Sequence, residues 1–173
     1  MGCYIHLHHL LVLWNPPPVG CYKCNVDVFV VAGQHLFGMG MILRDSNGRG
    51  MMGQMRTIPG TDDPALGKAL TFREALSWLK RTQARCDIME SDSLLLINAL
   101  QSTSFDFSYF GAIVQDCKHL LSLLPSMAIQ FVRKSANQAA HCIARLLWFY
   151  ARFRMGIYPP SFCMTFCGLT LLI

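Results

Sequence analysis

The chain has 173 residues, of which 53% are hydrophobic and 14% charged, with a formal net charge of +5. That length suits one domain with a real core, and that composition excludes a disordered chain while being apolar for a soluble one. The charge surplus sits at one end: from Arg133 onward there are five basic residues, Arg133, Lys134, Arg145, Arg152 and Arg154, and no acid. Such a segment suits a polyanion such as nucleic acid, or is a plain solvated basic face.

In chain order, residues 1–13 read as a leader without periodicity, expected to be disordered. His6, His8 and His9 could bind a metal, but a frayed terminus is the plainer expectation. Met1-Gly2-Cys3 is a weak acylation start, because His6 stands where Ser or Thr is wanted. Trp14-Asn15-Pro16-Pro17-Pro18 is a stiff extended lead-in. A first strand follows, with Tyr22, Cys24 and Val26 on one face and Lys23, Asn25 and Asp27 on the other. A second strand spans about Phe37 to Arg44, Asp45-Ser46-Asn47-Gly48 is a turn, and a third strand returns through about Ile58.

Asp63-Pro64 reads as an N-cap and first helical residue. That helix runs to about Arg81, with Ala69, Phe72, Leu76 and Leu79 at helical spacing. A fourth strand, Cys86 to Asp92, precedes a short helix at about Leu94 to Leu100 and a longer one at about Tyr109 to Leu124, which Pro125 stops. Met127 to Val132 is a fifth strand, and a last helix covers about Asn137 to Phe149, with Ala140, Ile143, Ala144 and Leu147 inward. A meander followed by strand–helix crossovers predicts an α/β mixed sheet with helices packed on it.

Eight scattered cysteines and no recognisable secretory signal predict reduced thiols in an intracellular protein, nucleus or cytoplasm left open. Cys21 and Cys24 form a CxxC, but residues three apart on a strand face opposite ways and no second CxxC accompanies it. The apolar stretches Leu10 to Trp14 and Phe162 to Ile173 are too short to span a bilayer, which takes about 20 residues. The chemistry rests on Asp27 and Asp92, each at the end of an alternating stretch. Carboxylates at two strand tips can meet in space, and paired carboxylates hold hard divalent cations. Each also has a plainer role: Asp27 as a solvent-facing strand end, Asp92 or Asn137 as a helix cap, His141 as a packed histidine.

Six local words, in order, carry a resemblance. They are Trp14 to Asp27 (Trp-x-Pro-Pro-Pro-x-Gly-x-Tyr-Lys-x-Asn-Val-Asp), Ile42-x-Arg44-Asp45-x-x-Gly48, Phe72-Arg73-Glu74-Ala75-Leu76-Ser77-Trp78, Glu90-Ser91-Asp92-Ser93, Arg133 to Arg145 with Asn137, Ala140 and His141 between, and Tyr158-Pro159-Pro160. The chain resembles the reverse-transcriptase-type ribonuclease H-like domains of plant retroelement-derived proteins over residues 14 to about 165, leaving 166–173 as an apolar tail. The resemblance implies a five-stranded mixed sheet, an antiparallel meander plus two parallel strands. It implies hydrolysis of the RNA strand of RNA–DNA hybrids, one metal activating water and a second stabilising the leaving oxygen. Asp27 and Asp92 take the places of the first and third acids and hold Mg2+ or Mn2+; His141 takes the fourth place. Arg133, Lys134, Asn137 and Arg145 are expected to contact nucleic acid, most naturally the hybrid, read through its A-like shape and 2′-hydroxyls. No small-molecule cofactor or membrane partner is expected, and the chain is expected to be a monomer.

The second acid of that family lies early in the first helix, where this chain reads Gly67-Lys68-Ala69. Val28 and Phe29 also stand where Gly and Ala are usual. Glutamate to lysine is a change of two charge units, and unit charges about 5 Å apart interact by roughly 3 kcal/mol at an effective dielectric of about 20. Lys68 is therefore expected to point at Asp27 or Asp92, in place of a cation. Glu74, six residues on, falls on a different helix face and does not replace the missing acid. The sequence leaves three functions open: a metal-dependent hybrid nuclease, a nucleic-acid-binding module without the chemistry, and a retroelement remnant without selected activity.

Overall fold

The computed structural model describes residues 13–31, 36–60, 62–154 and 162–169. His6, His8, His9, the Met1-Gly2-Cys3 start and Tyr158-Pro159-Pro160 lie outside them, as do the side chains of Leu147, Arg152 and Arg154. The elements are β1 (Lys23–Val31), β2 (Leu36–Arg44), β3 (Gly50–Pro59), α1 (Pro64–Thr82), β4 (Ile88–Ser91), α2 (Leu94–Gln101), α3 (Tyr109–Ser122), β5 (Ala128–Phe131), α4 (Gln138–Arg154) and β6 (Phe162–Leu169). A single 3-10 turn, Lys134–Ala136, leads into α4.

The sheet order is β5-β4-β1-β2-β3-β6. The expected mixed sheet is there: β1, β2 and β3 form the antiparallel meander, while β4 and β5 run parallel to β1. A sixth strand, β6, lies antiparallel on β3, from Thr57 opposite Phe162 to Gly50 opposite Leu169. It is drawn from the apolar run at the chain's end. The meander's turn is held by Asp45, whose carboxylate accepts from the Asn47 and Arg49 amides.

Alternation along β1 sorts its residues between two helical layers. Cys24, Val26 and Val28 join Met39, Met41 and Leu43 of β2 in the main core, under α1, α2 and α3. Ala69, Phe72, Leu76 and Leu79 of α1 are all buried there. The opposite face packs on α4 through Ile42, Ala139, Ala140 and Ile143. Close approach at that face depends on glycine: a Cβ on Gly40 would overlap the backbone of Ala140 and Ala144.

Two of the boundaries that differ from the sequence expectation matter for the site. Asp27 is not at a strand tip, because β1 continues to Val31. The apolar run Val28–Val31 extends it, still paired with β2 from Val28 opposite Met39 to Val31 opposite Leu36. β4 is shorter than expected: its last pair with β1 is Ser91 with Val26. Asp27 therefore lies one residue past the end of its parallel neighbour, and Asp92 leaves the sheet beside it.

Candidate active site

The notch beside Asp27 admits a side chain from α1. Asp63 caps that helix by accepting from the Ala65 amide, and Pro64 opens it. Gly67 is buried, and a Cβ there would come within 3.3 Å of Val28 Cγ2, so its absence lets the first turn sit close on β1. Lys68 follows. Its Nζ lies 2.6 Å from Asp92 Oδ1 and 3.9 Å from Asp27 Oδ1. Both carboxylates thus stand within 4 Å of one nitrogen, and the ammonium is oriented as the sequence led us to expect. The acids are buried, with side chains 3% and 4% exposed, whereas Lys68 keeps 22%.

His141, one turn into α4, closes the other side: its Nδ1 lies 2.8 Å from Asp27 Oδ2. With Asp27 ionised the ring donates from Nδ1, leaving Nε2 for another partner. The second Asp27 oxygen accepts from the Val28 amide at 2.8 Å. Burial raises the Asp27 pKa, with the Asp92 charge adding to it; the His141 and Val28 hydrogen bonds and Lys68 oppose the rise. Asp92 does not cap the next helix. Ser93 does, accepting from the Leu96 amide at 3.3 Å, and Asp92 is left to face Lys68.

The other expected site residues fall into two groups. Lys134, in the 3-10 turn, lines the same cavity as Asp27, Lys68, Asp92 and His141, about 340 Å³ in volume. Arg133 is exposed just before it, and the Arg145 guanidinium lies 5.5 Å from the Phe29 ring centroid. Asn137 is different: it is fully buried, its amide donates to the Val26 carbonyl at 2.9 Å, and its oxygen accepts from Asn25 at 3.2 Å. It ties the start of α4 to β1 beside Asp27 and presents nothing to a ligand. Glu74 pairs with Arg56 and Arg73, away from the two aspartates.

Sequence reasoning missed a buried polar network next to the site. Lys23 and Glu90 pair at 2.7 Å with side chains 6% and 7% exposed. Glu90 also accepts from Asn25 at 2.8 Å and from the Trp14 indole at 3.2 Å, and Arg44 donates to Asn25 at 2.7 Å. Trp14 lies over Arg44, 3.4 Å from guanidinium carbon to ring centroid, and burial lowers the Arg44 pKa to about 10. The available signal was the polar spacing Lys23, Asn25, Asp27: one polar face shared by the network and the site.

Two divalent ions at oxygen distances of about 2 Å would need the space between Asp27 and Asp92. The Lys68 ammonium lies there, and among the described residues no three His, Cys, Asp or Glu side chains are grouped to hold a metal. The residues present do not fit a two-metal centre. Cys21, Cys24, Cys86, Cys117 and Cys142 are free thiols. Among the described residues no helix is long and apolar enough to cross a membrane.

Sheet order, helix placement and the pairing of Asp27 on β1 with Asp92 just past the end of β4 define a ribonuclease H-like domain. The chain matches the family described as reverse transcriptase-like over residues 25–147, and it belongs to that family. Among solved structures it is similar to RNase H1 from the halophilic archaeon Halobacterium salinarum NRC-1, with 17% identity, a TM-score of 0.66, and coverage of 76% of this chain and 100% of that one. It is similar to LC11-RNase H1, isolated from compost, in complex with an RNA/DNA hybrid, with 13% identity, a TM-score of 0.63, and coverage of 72% and 94%. It is also similar to the protease-reverse transcriptase of prototype foamy virus, with 11% identity, a TM-score of 0.50, and coverage of 73% and 20%. At these identities the likeness is one of fold. No curated protein sequence matches the chain.

Proposed function

We propose that this chain is a nucleic-acid-binding ribonuclease H-like domain of retroelement type in which two-metal hydrolysis of RNA–DNA hybrids is impaired. The observation that carries this reading is the Lys68 ammonium, 2.6 Å from Asp92 and 3.9 Å from Asp27. A fixed positive charge there opposes a divalent cation and already satisfies the carboxylates that would hold it. Binding is favoured by Arg133 and Lys134 beside the cavity and Arg145 further along α4. The ligand is a double-stranded RNA–DNA hybrid, held through its backbone and not through base sequence.

The test is hybrid binding as a function of salt. Affinity falls steeply as salt rises, and replacing Arg133 and Lys134 together by alanine lowers affinity and flattens the log–log slope by about two units. Binding without salt dependence, or unchanged in that double variant, makes the basic segment a solvated face and favours the remnant alternative.

A further inference from the structure

We infer that the cavity beside Asp27 and Asp92 is a seat for a backbone phosphate of nucleic acid that fills without any divalent cation, with Lys68 and Lys134 as its ligands. The inference rests on the nucleic-acid reading above and adds how the site grips a strand.

Charge decides what the cavity admits. Asp27 and Asp92 supply two negative charges, Lys68 and Lys134 two positive ones, and all four line the same space. The charges of these four side chains cancel. An acid at position 68 would leave two negative charges in excess, and a phosphodiester could then enter only with added cations. Here the ammonium is built in.

Geometry decides which groups meet the ligand. The aspartates are almost wholly buried and already engaged: Asp92 by Lys68, Asp27 by His141 and the Val28 amide. Lys68 has three donors, and Asp92 takes one at 2.6 Å; Asp27, at 3.9 Å, is beyond hydrogen-bond range. Two donors remain for an oxygen in the cavity. Lys134, exposed in the 3-10 turn before α4, lines the same cavity. Val28, Phe29, Val30 and Pro64 form an apolar wall, which lowers the local dielectric and strengthens both contacts. A singly charged phosphodiester suits a cavity of zero fixed charge better than a free phosphate dianion. A strand, unlike a free phosphate, also reaches Arg133 outside it.

The experiment is fluorescence anisotropy of a labelled RNA–DNA hybrid with the full chain, in EDTA and in Mg2+ at matched ionic strength. The unaltered chain binds equally well in both. Lys68→Met lowers affinity about tenfold and the salt slope by about one unit, and Lys68→Arg, which keeps the cation, restores both. Inorganic phosphate at matched ionic strength does not displace the hybrid. A requirement for Mg2+ in the unaltered chain overturns the inference. Lys68→Met binding like the unaltered chain, while the Arg133/Lys134 double variant is weakened, overturns the seat but leaves the nucleic-acid reading standing. Displacement by inorganic phosphate that disappears in Lys68→Met reassigns the seat to the free anion. No hybrid binding by the unaltered chain overturns both readings.

Discussion

The buried network beside the site makes an asymmetric prediction. It contains one acid, Glu90, and two bases, Lys23 and Arg44, linked through Asn25. Replacing Lys23 by methionine leaves one acid and one base. It removes hydrogen bonds of 2.7 Å to Glu90 and 2.8 Å to the Asn15 carbonyl. Hydrogen bonds to charged groups contribute about 1.5–3 kcal/mol, and methionine refills the volume of the lysine stem, so the cost falls at the lower end of that range. Replacing Glu90 by glutamine leaves two buried cations and no anion. Breaking a buried pair so that charge stays uncompensated costs about 3–5 kcal/mol, and here both Lys23 and Arg44 lose their counter-charge. Equilibrium urea unfolding at neutral pH measures both. Glu90→Gln is expected to be the more destabilising by about 2 kcal/mol. Lys23→Met costing as much as Glu90→Gln, or more, would refute the view that Glu90 neutralises both bases.

Gly40→Ala drives a methyl group into the α4 backbone at Ala140 and Ala144, an overpacking change that costs about 1–3 kcal/mol or more; a urea melt coincident with that of the unaltered chain would contradict the packing. Since Gly40 is the cross-strand partner of Asp27, the same variant is also expected to loosen the His141–Asp27 contact, seen as changed His141 ring chemical shifts in the NMR spectrum. The raised Asp27 pKa makes a signed prediction. Above the unfolded carboxyl value of about 3.9, and up to the raised native value, the native state binds more protons than the unfolded one, so the stability that Asp27 contributes falls as pH rises through that window. The stability difference, unaltered chain minus Asp27→Asn, is therefore more favourable to the unaltered chain near pH 4 than near pH 7; a difference that grows with pH would contradict it.

Much of this was legible from residue patterns, and the limits have physical causes. The Asp63-Pro64 start of α1, the Asp45–Gly48 turn and the α1 core positions follow from local chemistry that tertiary context leaves alone. The register that brings Lys68 to Asp92 needed the family resemblance, because spacing on one helix does not say which strand it meets. Asp27 looked like a strand end because alternation stops there; Val28–Val31 continues the strand as an unbroken apolar run paired with β2, which alternation does not flag. The Lys23, Asn25, Asp27 face is lined by a network and α4, and alternation cannot distinguish water from a second helical layer. Asn137 carried the same ambiguity: a polar residue in a basic segment reads as surface, yet it is spent entirely on β1. The strand β6 came from an apolar stretch whose composition alone does not separate strand from tail.

The central claim is that Lys68 stands where a catalytic acid and its cations would be, and a paired hybrid-cleavage assay tests it most directly. The unaltered chain and Lys68→Glu are each given RNA–DNA hybrid with Mg2+ or Mn2+. The account predicts no metal-dependent cleavage by the unaltered chain and a gain of cleavage in Lys68→Glu; robust cleavage by the unaltered chain that Lys68→Glu does not raise would contradict it.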